Sequence, residues 1–576
     1  MIRHTVQSLR TEIGFIAALI LSLAWSAPLR AEFFEASPFG PVALGEAADP
    51  TADNRVVSVE NGRDALWLRL HLIRQARASI DIQTFIWTDD ECGRLLIYEL
   101  IEAAKRGVRV RIIADHMVSD QDPRTVAFLA KVHPNFQVRH YRPAMRRINP
   151  SLWQTMLAGA LSFHGTNQRM HNKLMVFDGA IMLTGGRNIE NTYFDHSRTM
   201  NFRDRDVLAV GPVARLAVES FEEFWNFKHT VPGTELTDVA AIIAADNYPR
   251  YESRADYDFC AFFADEAALA GEVAETATRL GGQLRPVAKV RFIVDRPGKT
   301  AGFFKRDSHI TRELRDLAAS AERDIVMQTP YLILSKPARR LVKELRRKNP
   351  EMRIRISSNS FASTDNILAY SANYRLRGVY VRDLGLEIHE FKPQPESLRE
   401  LFPGYDAMAD LAAAEQPRDP ALPFLCIHAK SLVVDDRVSF VGSYNLDPRS
   451  ENLNTEVGLV IEDEVFAREL RAAIEADMQP ENSWVIGKRD LPLPVGVVNA
   501  LIDGIISHTP LDVWPVQNTT SYELLPGKAQ LPLEHPDFHR HYRDAGPFPG
   551  TDGLLSTKEI LTRLYKAVGS PLTPIL

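Results

Sequence analysis

The feature that most constrains the fold is an internal repeat. Residues 79–115 and 323–359 follow one pattern: an apolar strand in which Gln83 or Gln328 precedes a threonine, then a helix, then a strand in which arginine alternates with apolar residues. Strands that alternate with helices of this length are typical of βαβ units around a largely parallel inner sheet. The repeat therefore predicts an α/β protein of two similar halves, whose mixed sheets are flanked by helices.

Further segments extend this plan along the 576 residues. Phe136–Tyr141 and Leu386–Phe391 are predicted strands, and Val213–Phe227 and Glu464–Asp477 are predicted helices that close each half. The predicted parts of the chain are a signal peptide or N-terminal anchor (1–31), a first half (32–232), a helical connector (233–289), a second half (290–480) and a Pro-rich C-terminal extension (481–576).

The first 31 residues are typical of a targeting segment. A basic start with Arg3 and Arg10 precedes an apolar run from Ile13 to Ala27, and Ala31 suits the position before a cleavage site. The run is short for a membrane-spanning helix, which needs about 20 residues. A cleaved signal peptide is favoured and an uncleaved anchor is the alternative; both predict an exported protein, periplasmic, membrane-associated or secreted.

The C-terminal extension contains the apolar stretch Val495–Ile506, which is flanked by Trp484 and Trp514. Two interpretations stay open. The stretch packs against the second half, or it contacts a membrane surface, where tryptophan suits the headgroup region.

Charge and motif content exclude some classes of function. The net charge is −6, and Arg142, Arg146 and Arg147 form only a small basic cluster, so no nucleic-acid partner is expected. Three cysteines are too few and too scattered for a disulfide framework or a zinc site. The sequence contains no His-Glu-x-x-His, Cys-x-x-Cys, EF-hand or Gly-x4-Gly-Lys pattern, so neither a metal nor a nucleotide cofactor is expected.

Two copies of the pattern His-x-Lys-x4-Asp carry the candidate chemistry. Residues two apart on a strand project from one face, so the imidazole and the ammonium of each copy are expected to lie together. The ammonium can bind phosphate oxygens, and the imidazole can attack phosphorus or donate a proton. The residues of the two copies are His171, Lys173, Asp178, His428, Lys430 and Asp435.

Matched glycine segments strengthen the repeat. Asn188 lies 17 residues after His171, in Gly-Gly-Arg-Asn, and Asn445 lies 17 residues after His428, in Gly-Ser443-Tyr-Asn. Glycines and small polar side chains allow close approach of the backbone to a ligand. Asn188, Asn445 and Ser443 are therefore candidate phosphate-binding residues.

The paired motifs, the glycine segments and the two-half layout resemble the phospholipase D superfamily, from about residue 55 to residue 480. Within it, the segments around 170–188 and 428–458 are similar to the bacterial cardiolipin synthase branch. The resemblance implies one active site at the interface of the two halves and a two-step mechanism without metal. It implies His171 as the nucleophile and His428 as the general acid and base, an order that the residues alone leave open.

The resemblance also implies that Lys173, Lys430 and the two asparagines hold the phosphoryl oxygens. Asp178 and Asp435 complete the motifs and are expected to support the structure. A carboxylate should orient each imidazole, as in catalytic triads. We expect Glu456 to do so near His428 and Asp206 near His171; the alternative for each is a solvated acid at a strand edge.

The resemblance, together with the targeting segment and the intact pair of motifs, implies phosphatidyl transfer, with cardiolipin made from phosphatidylglycerol and a second phospholipid. The alternatives are a secreted phospholipase D that hydrolyses phospholipid to phosphatidic acid, a nuclease, and a non-catalytic lipid-binding factor. The expected partners are a phospholipid substrate and a membrane surface, and the sequence indicates no protein partner. Because both motifs lie in one chain, we expect a monomer.

Overall fold

A computed structural model describes residues 37–40, 52–115, 122–151, 153, 167–257, 263–299, 308–415, 422–489 and 518–551. The predicted targeting segment, the apolar stretch Val495–Ile506 and Trp514 lie outside these residues. Among the described residues, no helix is both long enough and apolar enough to cross a membrane.

The first half alternates strands and helices, as the repeat predicts. Its elements are β1 (Asn54–Val59), α1 (Gly62–Gln75), β2 (Ser79–Thr84), α2 (Glu91–Lys105), β3 (Arg109–Asp115), α3 (Pro123–Lys131), β4 (Phe136–Tyr141), β5 (Leu174–Phe177), β6 (Ile181–Gly185), β7 (Met200–Arg203), β8 (Asp206–Val210), α4 (Val213–Trp225), β9 (Thr230–Pro232), α5 (Thr237–Ala244), α6 (Glu266–Gly282) and β10 (Arg285–Val287).

The second half follows with the same alternation. Its elements are β11 (Lys289–Val294), α7 (His309–Ala319), β12 (Asp324–Gln328), α8 (Lys336–Lys348), β13 (Arg353–Asn359), α9 (Ile367–Gly378), β14 (Glu387–Phe391), α10 (Leu398–Leu401), α11 (Tyr405–Glu415), β15 (Phe424–Ile427), β16 (Ser431–Val434), β17 (Val438–Gly442), α12 (Pro448–Asn452), β18 (Val457–Glu462), α13 (Glu464–Asp477), β19 (Ser483–Lys488), β20 (Thr519–Leu524), α14 (Phe538–His541) and β21 (Tyr542–Gly546).

Each half has its own sheet, and the two sheets share one strand order. The first runs β10-β1-β8-β6-β5-β2-β3-β4-β9 and the second runs β11-β18-β17-β16-β12-β13-β14-β19-β20-β21. Eight strands therefore correspond one to one. The parallel part is limited to β2-β3-β4 and β12-β13-β14, and the neighbouring pairs are antiparallel. This confirms two similar α/β halves with mixed sheets.

The second sheet continues beyond residue 480. Strand β19 pairs with β14, and β20 and β21 extend the same edge. The described parts of the C-terminal extension thus add strands to the second half. The segment predicted as a helical connector, 233–289, holds α5, α6 and the edge strand β10.

The motif aspartates form tight hairpins in both halves. Residues 178–180 join β5 to β6, and residues 435–437 join β16 to β17. The first two residues of each loop have positive φ: 51° at Asp178, 65° at Gly179, 53° at Asp435 and 57° at Asp436. A turn with positive φ at both central positions favours glycine and aspartate. The hairpins fix the register of the strands that begin just after each histidine and lysine.

The two halves share a core and a strand pair. One buried cluster contains Val56 and Val207 of the first half together with Val433 and Leu459 of the second. In addition, β7 of the first half pairs in parallel with β15 of the second. The interface therefore joins apolar faces and places the segments that follow β7 and β15 side by side.

Candidate active site

His171 lies just before β5, and its backbone is held by the second half. Its N–H donates to the Thr455 carbonyl oxygen at 3.0 Å, and the Thr455 N–H donates to the carbonyl oxygen of Arg169 at 2.9 Å. The side chain is buried. This contact brings the residue that follows Thr455 to the His171 ring.

That residue is Glu456, a fully buried carboxylate. Its Oε2 lies 2.8 Å from His171 Nδ1 and accepts from the Ser443 hydroxyl at 2.5 Å, while its Oε1 accepts from the Ser450 hydroxyl at 2.7 Å. Two serines of the second half thus hold the carboxylate that orients the imidazole of the first half.

His428 has a corresponding partner from the other half. Its backbone N–H donates to the Arg203 carbonyl oxygen at 2.8 Å, where β15 runs beside β7. Asp204 follows Arg203, and its Oδ2 lies 2.7 Å from His428 Nδ1. Each half therefore supplies one histidine and the carboxylate that orients the histidine of the other half.

This crossed arrangement corrects two predictions about the carboxylates. Glu456 orients His171 and not His428, and Asp206 contacts neither imidazole. Asp206 instead pairs with the Arg69 guanidinium at 2.9 Å and with Arg187 at 3.4 Å.

The strand register explains the error. Gly185 pairs with Asp206, and in the second half Gly442 pairs with Gly458. Asp206 therefore corresponds to Gly458, and the residue that corresponds to Glu456 is Asp204. An alignment of β8 with β18 without gaps matches Asp204 with Glu456, and this is the sequence signal that could have identified Asp204.

Both lysines of the motifs are buried beside their histidines. Lys173 Nζ donates to the His171 carbonyl oxygen at 3.0 Å, and Lys430 Nζ donates to the His428 carbonyl oxygen. Burial, reinforced by the charge of Lys430, lowers the pKa of Lys173 to about 7. Burial also lowers the pKa of Lys430 to about 8, although Asp204 opposes the shift.

Both imidazoles are held neutral. Burial lowers the pKa of His171 to about 4, and burial together with the charge of Lys430 lowers the pKa of His428 to about 3. The charge of Lys430 also lowers the pKa of His171, and that of Lys173 lowers the pKa of His428. The two motifs therefore lie within electrostatic reach of each other and form one site.

The carboxylates fix the tautomers. Burial alone would raise the pKa of Asp204, but the charge of Lys430 and the hydrogen bond from His428 hold it well below its usual range. Burial would likewise raise the pKa of Glu456, but the adjacent His171 lowers it. Ionised carboxylates accept the Nδ1 protons and leave a lone pair on each Nε2. Lys430 Nζ also lies 2.7 Å from His428 Nδ1, but that nitrogen has its proton on the Asp204 side.

Comparisons with known proteins identify the family of the chain. The family model described as "Cardiolipin synthase, PLD-like domain" matches residues 70–225 and 314–478, which together are more than half of the chain. The chain belongs to this family. Its membership supports an enzyme that modifies phospholipids, with activity of the phosphatidyltransferase type.

Individual relatives of this cardiolipin synthase-like chain cover most of its length. It is 33% identical to cardiolipin synthase C of Escherichia coli over 416 residues, which are 71% of this chain and 82% of the relative. It is 28% identical to an uncharacterized protein of Helicobacter pylori, over 82% of this chain and 88% of that protein. It is 25% identical to a cardiolipin synthase A of Pseudomonas fluorescens, over 74% of this chain and 69% of the relative.

The three candidate phosphate-binding residues of this family member have different surroundings. Asn188 is satisfied within the protein, because Oδ1 accepts from the Ile86 N–H at 3.2 Å and Nδ2 donates to the Tyr193 hydroxyl at 2.7 Å. Ser443 contacts Glu456. Asn445 Oδ1, by contrast, is buried without a hydrogen-bond partner in the described part of the chain. Of the three, Asn445 keeps the most hydrogen-bonding capacity for a ligand; phosphate contact by all three stays a prediction.

The motif aspartates lie away from the imidazoles, in the hairpins. Asp178 accepts from the backbone N–H groups of residues 77, 78 and 79 at 2.8–3.0 Å. Asp435 accepts in the same way from residues 322, 323 and 324 at 2.8–2.9 Å. Each aspartate thus ties its hairpin to the start of β2 or β12. These contacts support the structural role that we expect for the aspartates.

Two aromatic residues next to the histidines carry no motif signal in the sequence. The Phe85 ring lies 4.7 Å from the His171 ring, centroid to centroid, and 4.9 Å from Lys173 Nζ. The Tyr193 hydroxyl lies 3.5 Å from His428 Nε2. Among the described residues, no group of three or more His, Cys, Asp or Glu side chains is placed to hold a metal ion.

Proposed function

We propose that the protein is a phosphatidyltransferase that makes cardiolipin from phosphatidylglycerol and a second phospholipid through a phosphohistidine intermediate. The single observation that carries the mechanism is the crossed pair of carboxylate–imidazole contacts, Glu456 on His171 and Asp204 on His428. The names of the relatives support the lipid substrate.

In the first step, the Nε2 lone pair of His171 attacks the phosphorus of phosphatidylglycerol. The bond from phosphorus to the glycerol headgroup oxygen breaks, and His428 donates a proton to that oxygen. Glu456 stabilises the cationic ring that forms at His171. Lys173 and Lys430 hold the charge on the phosphoryl oxygens.

The free enzyme holds His428 neutral, so the ring must take up a proton from solvent when the substrate binds. A bound phosphodiester anion favours the charged imidazolium, because an opposite charge nearby raises the pKa of a histidine. The same anion restores the charge of the two lysines. Substrate binding therefore prepares the acid while His171, next to Glu456, serves as the nucleophile.

In the second step, His428 takes the proton of an incoming alcohol, which attacks the phosphohistidine. The phosphorus–nitrogen bond breaks, and His171 leaves as a neutral imidazole. A headgroup hydroxyl of phosphatidylglycerol gives cardiolipin, whereas water gives phosphatidic acid. Phosphatidylethanolamine has no headgroup hydroxyl, so it can take part only as the phosphatidyl donor of the first step. The residues around the histidines supply the same chemistry for both acceptors.

The test is a product assay with the purified full chain. Labelled phosphatidylglycerol is incubated with and without phosphatidylethanolamine, with the His171→Ala variant as the control. We expect labelled cardiolipin from the wild-type protein and none from the variant. Phosphatidic acid as the only product would establish hydrolysis instead, and no lipid product would contradict the proposal.

We propose further that the protein acts as a monomer on phospholipid at a membrane surface after export. The basic and apolar start of the sequence supports export, and the presence of both motifs in one chain supports the monomer. Fractionation of cells that express the full chain tests the location. Recovery of the protein in the cytoplasmic fraction would contradict it.

A further inference from the structure

A cavity of about 280 Å³ lies beside the candidate active site, on the face of the first sheet that packs against α2 and α3. Aromatic and aliphatic side chains form most of its wall. They include Trp87, Ile97, Ile112, Phe128 and Tyr251. Ligand pockets usually hold about 300–1,000 Å³. The cavity therefore suits a part of a ligand and not a whole phospholipid.

The cavity shares two chain segments with the active site. Trp87 is two residues from Phe85, whose ring contacts His171, and it bridges to Ile189, next to Asn188. On β3, Ala114 lines the cavity. The next residue, Asp115, accepts from the N–H of Met170, which precedes His171, at 2.9 Å. The cavity and the histidine thus lie at the same end of the parallel strands.

The three carboxylates on the wall already have partners within the protein. Asp89 pairs with Arg94 at 2.8 Å, Asp122 accepts from the Arg124 N–H at 3.2 Å, and Asp256 accepts from two backbone N–H groups at 2.7–2.9 Å. Three carboxylates disfavour an anionic group. With these contacts in place, a polar ligand would lose hydrogen bonds to water without replacing them. The wall favours an apolar ligand.

We propose that this cavity binds one acyl chain of the phospholipid whose phosphate is held at His171. This inference rests on the proposed function, since it takes the donor lipid from it. In one phospholipid, the glycerol backbone joins the phosphate to the acyl chains. In the protein, the Phe85–Trp87 segment likewise joins the His171 site to the cavity, because Phe85 contacts His171 and Trp87 lines the cavity. An apolar chain in the cavity would fix the orientation of the donor and exclude water from its walls.

The first test fills the cavity. Ile97 is half-buried on α2, so Ile97→Trp narrows the cavity with limited disturbance of the core. The matched control is Leu341→Trp, a half-buried leucine on α8, the corresponding helix of the second half. The measurement is kcat/KM for phosphatidylglycerol with long and with short acyl chains, and the ratio of the two values.

We expect Ile97→Trp to lower the ratio of long-chain to short-chain kcat/KM by about tenfold, and Leu341→Trp to leave it at the wild-type value. An unchanged ratio in a folded Ile97→Trp protein would overturn the proposal. Thr125→Phe, on the half-buried cavity wall of α3, repeats the test if Ile97→Trp does not fold.

The second test does not depend on turnover. Bromine atoms on an acyl chain quench a nearby tryptophan, and Trp87 lines the cavity. We expect phosphatidylglycerol with a brominated acyl chain to quench the wild-type protein more than Trp87→Phe, with unbrominated lipid as the baseline. Equal quenching of both proteins would overturn the acyl-chain site. A protein that gives no cardiolipin and yet shows the Trp87 difference would contradict the proposed function alone.

Discussion

At the scale of residues, the chemistry depends on which carboxylate faces which imidazole. Asp204 and Glu456 are buried and ionised, and each accepts the Nδ1 proton of a histidine from the other half. A neutral amide in the same place would stabilise the wrong tautomer or a ring without a charged partner. The crossed contacts therefore make specific predictions for both acids.

We expect Asp204→Asn and Glu456→Gln each to lower kcat on the order of 10²–10⁴-fold, because the imidazolium that forms during the reaction loses its counterion. Asp206→Asn is the control, since Asp206 pairs with Arg69 and contacts neither histidine. It should lower the unfolding free energy and keep kcat per folded molecule within a few-fold. Equal kcat losses for Asp204→Asn and Asp206→Asn would contradict the assignment.

The low pKa values of the lysines predict how activity depends on pH. Lys173 and Lys430, with pKa values of about 7 and about 8, are charged below these values and neutral above them. We expect kcat/KM, which reports the free enzyme, to fall as pH rises from 7 to 9. The fall in kcat should come at higher pH, because the bound phosphate keeps the lysines charged.

A Lys430→Arg variant checks the origin of this fall. The guanidinium stays charged across this range, so the part of the decline due to residue 430 should move out of the measured range. The maximal kcat/KM of the variant should be lower than that of the wild-type protein, because arginine does not fit the place of a buried lysine. If kcat/KM falls over the same pH range in Lys430→Arg and in Lys173→Arg as in the wild-type protein, the lysines do not cause the fall.

At the scale of elements, the hairpins show how the motif aspartates act. Asp178 and Asp435 each accept three backbone N–H groups at the start of β2 or β12. We expect Asp178→Asn to lower the unfolding free energy by about 2 kcal/mol, because charge-assisted hydrogen bonds are lost. In urea titrations followed by circular dichroism, the midpoint should fall while kcat of the folded protein is kept. A stable but inactive variant would assign the aspartate to the chemistry.

Much of the element pattern could be predicted from the sequence. The strand Phe136–Tyr141 and the helix Glu464–Asp477 have the predicted bounds, because their apolar periodicity is strong over the whole element. The helix predicted to end at Phe227 ends at Trp225. The histidines, the lysines and the duplicated hairpins also followed from local patterns.

The crossed carboxylates could not be predicted in the same way. The contact of Asp204 with His428 depends on β7 and β15, two four-residue strands that are more than 200 residues apart and pair across the interface. The contact of Glu456 with His171 depends on a single bridge between Met170 and Thr455. Strands this short carry little alternation, and no local signal states their partner. Arg-Asp206-Val resembles Thr-Glu456-Val, and this likeness points to Asp206. The acid that contacts an imidazole is Asp204, two residues earlier.

At the scale of the whole molecule, the halves are joined by buried charge as well as by an apolar core. The guanidinium of Arg205, which is almost fully buried, donates to both Glu60 carboxylate oxygens at 2.7 and 2.8 Å in the first half. It also donates to Gln328 at 3.1 Å and to Ser431 at 2.8 Å in the second half. The halves should therefore be unable to unfold independently.

We expect urea unfolding of the full chain to show one transition, with loss of activity and loss of circular dichroism at the same midpoint. Arg205→Met should lower the unfolding free energy by about 1–3 kcal/mol, because it removes the guanidinium that hydrogen-bonds Glu60, Gln328 and Ser431 across the interface. Two separate transitions in the wild-type protein would contradict a single cooperative unit.

The central claim is that one site, built from both halves, transfers the phosphatidyl group through His171. The most direct measurement is to mix the full chain with phosphorus-labelled phosphatidylglycerol, quench with base within one turnover, digest the protein and locate the label by mass spectrometry. We expect a label on His171 that is absent from His171→Ala. A label on His428, or a His171→Ala protein with wild-type turnover, would contradict it.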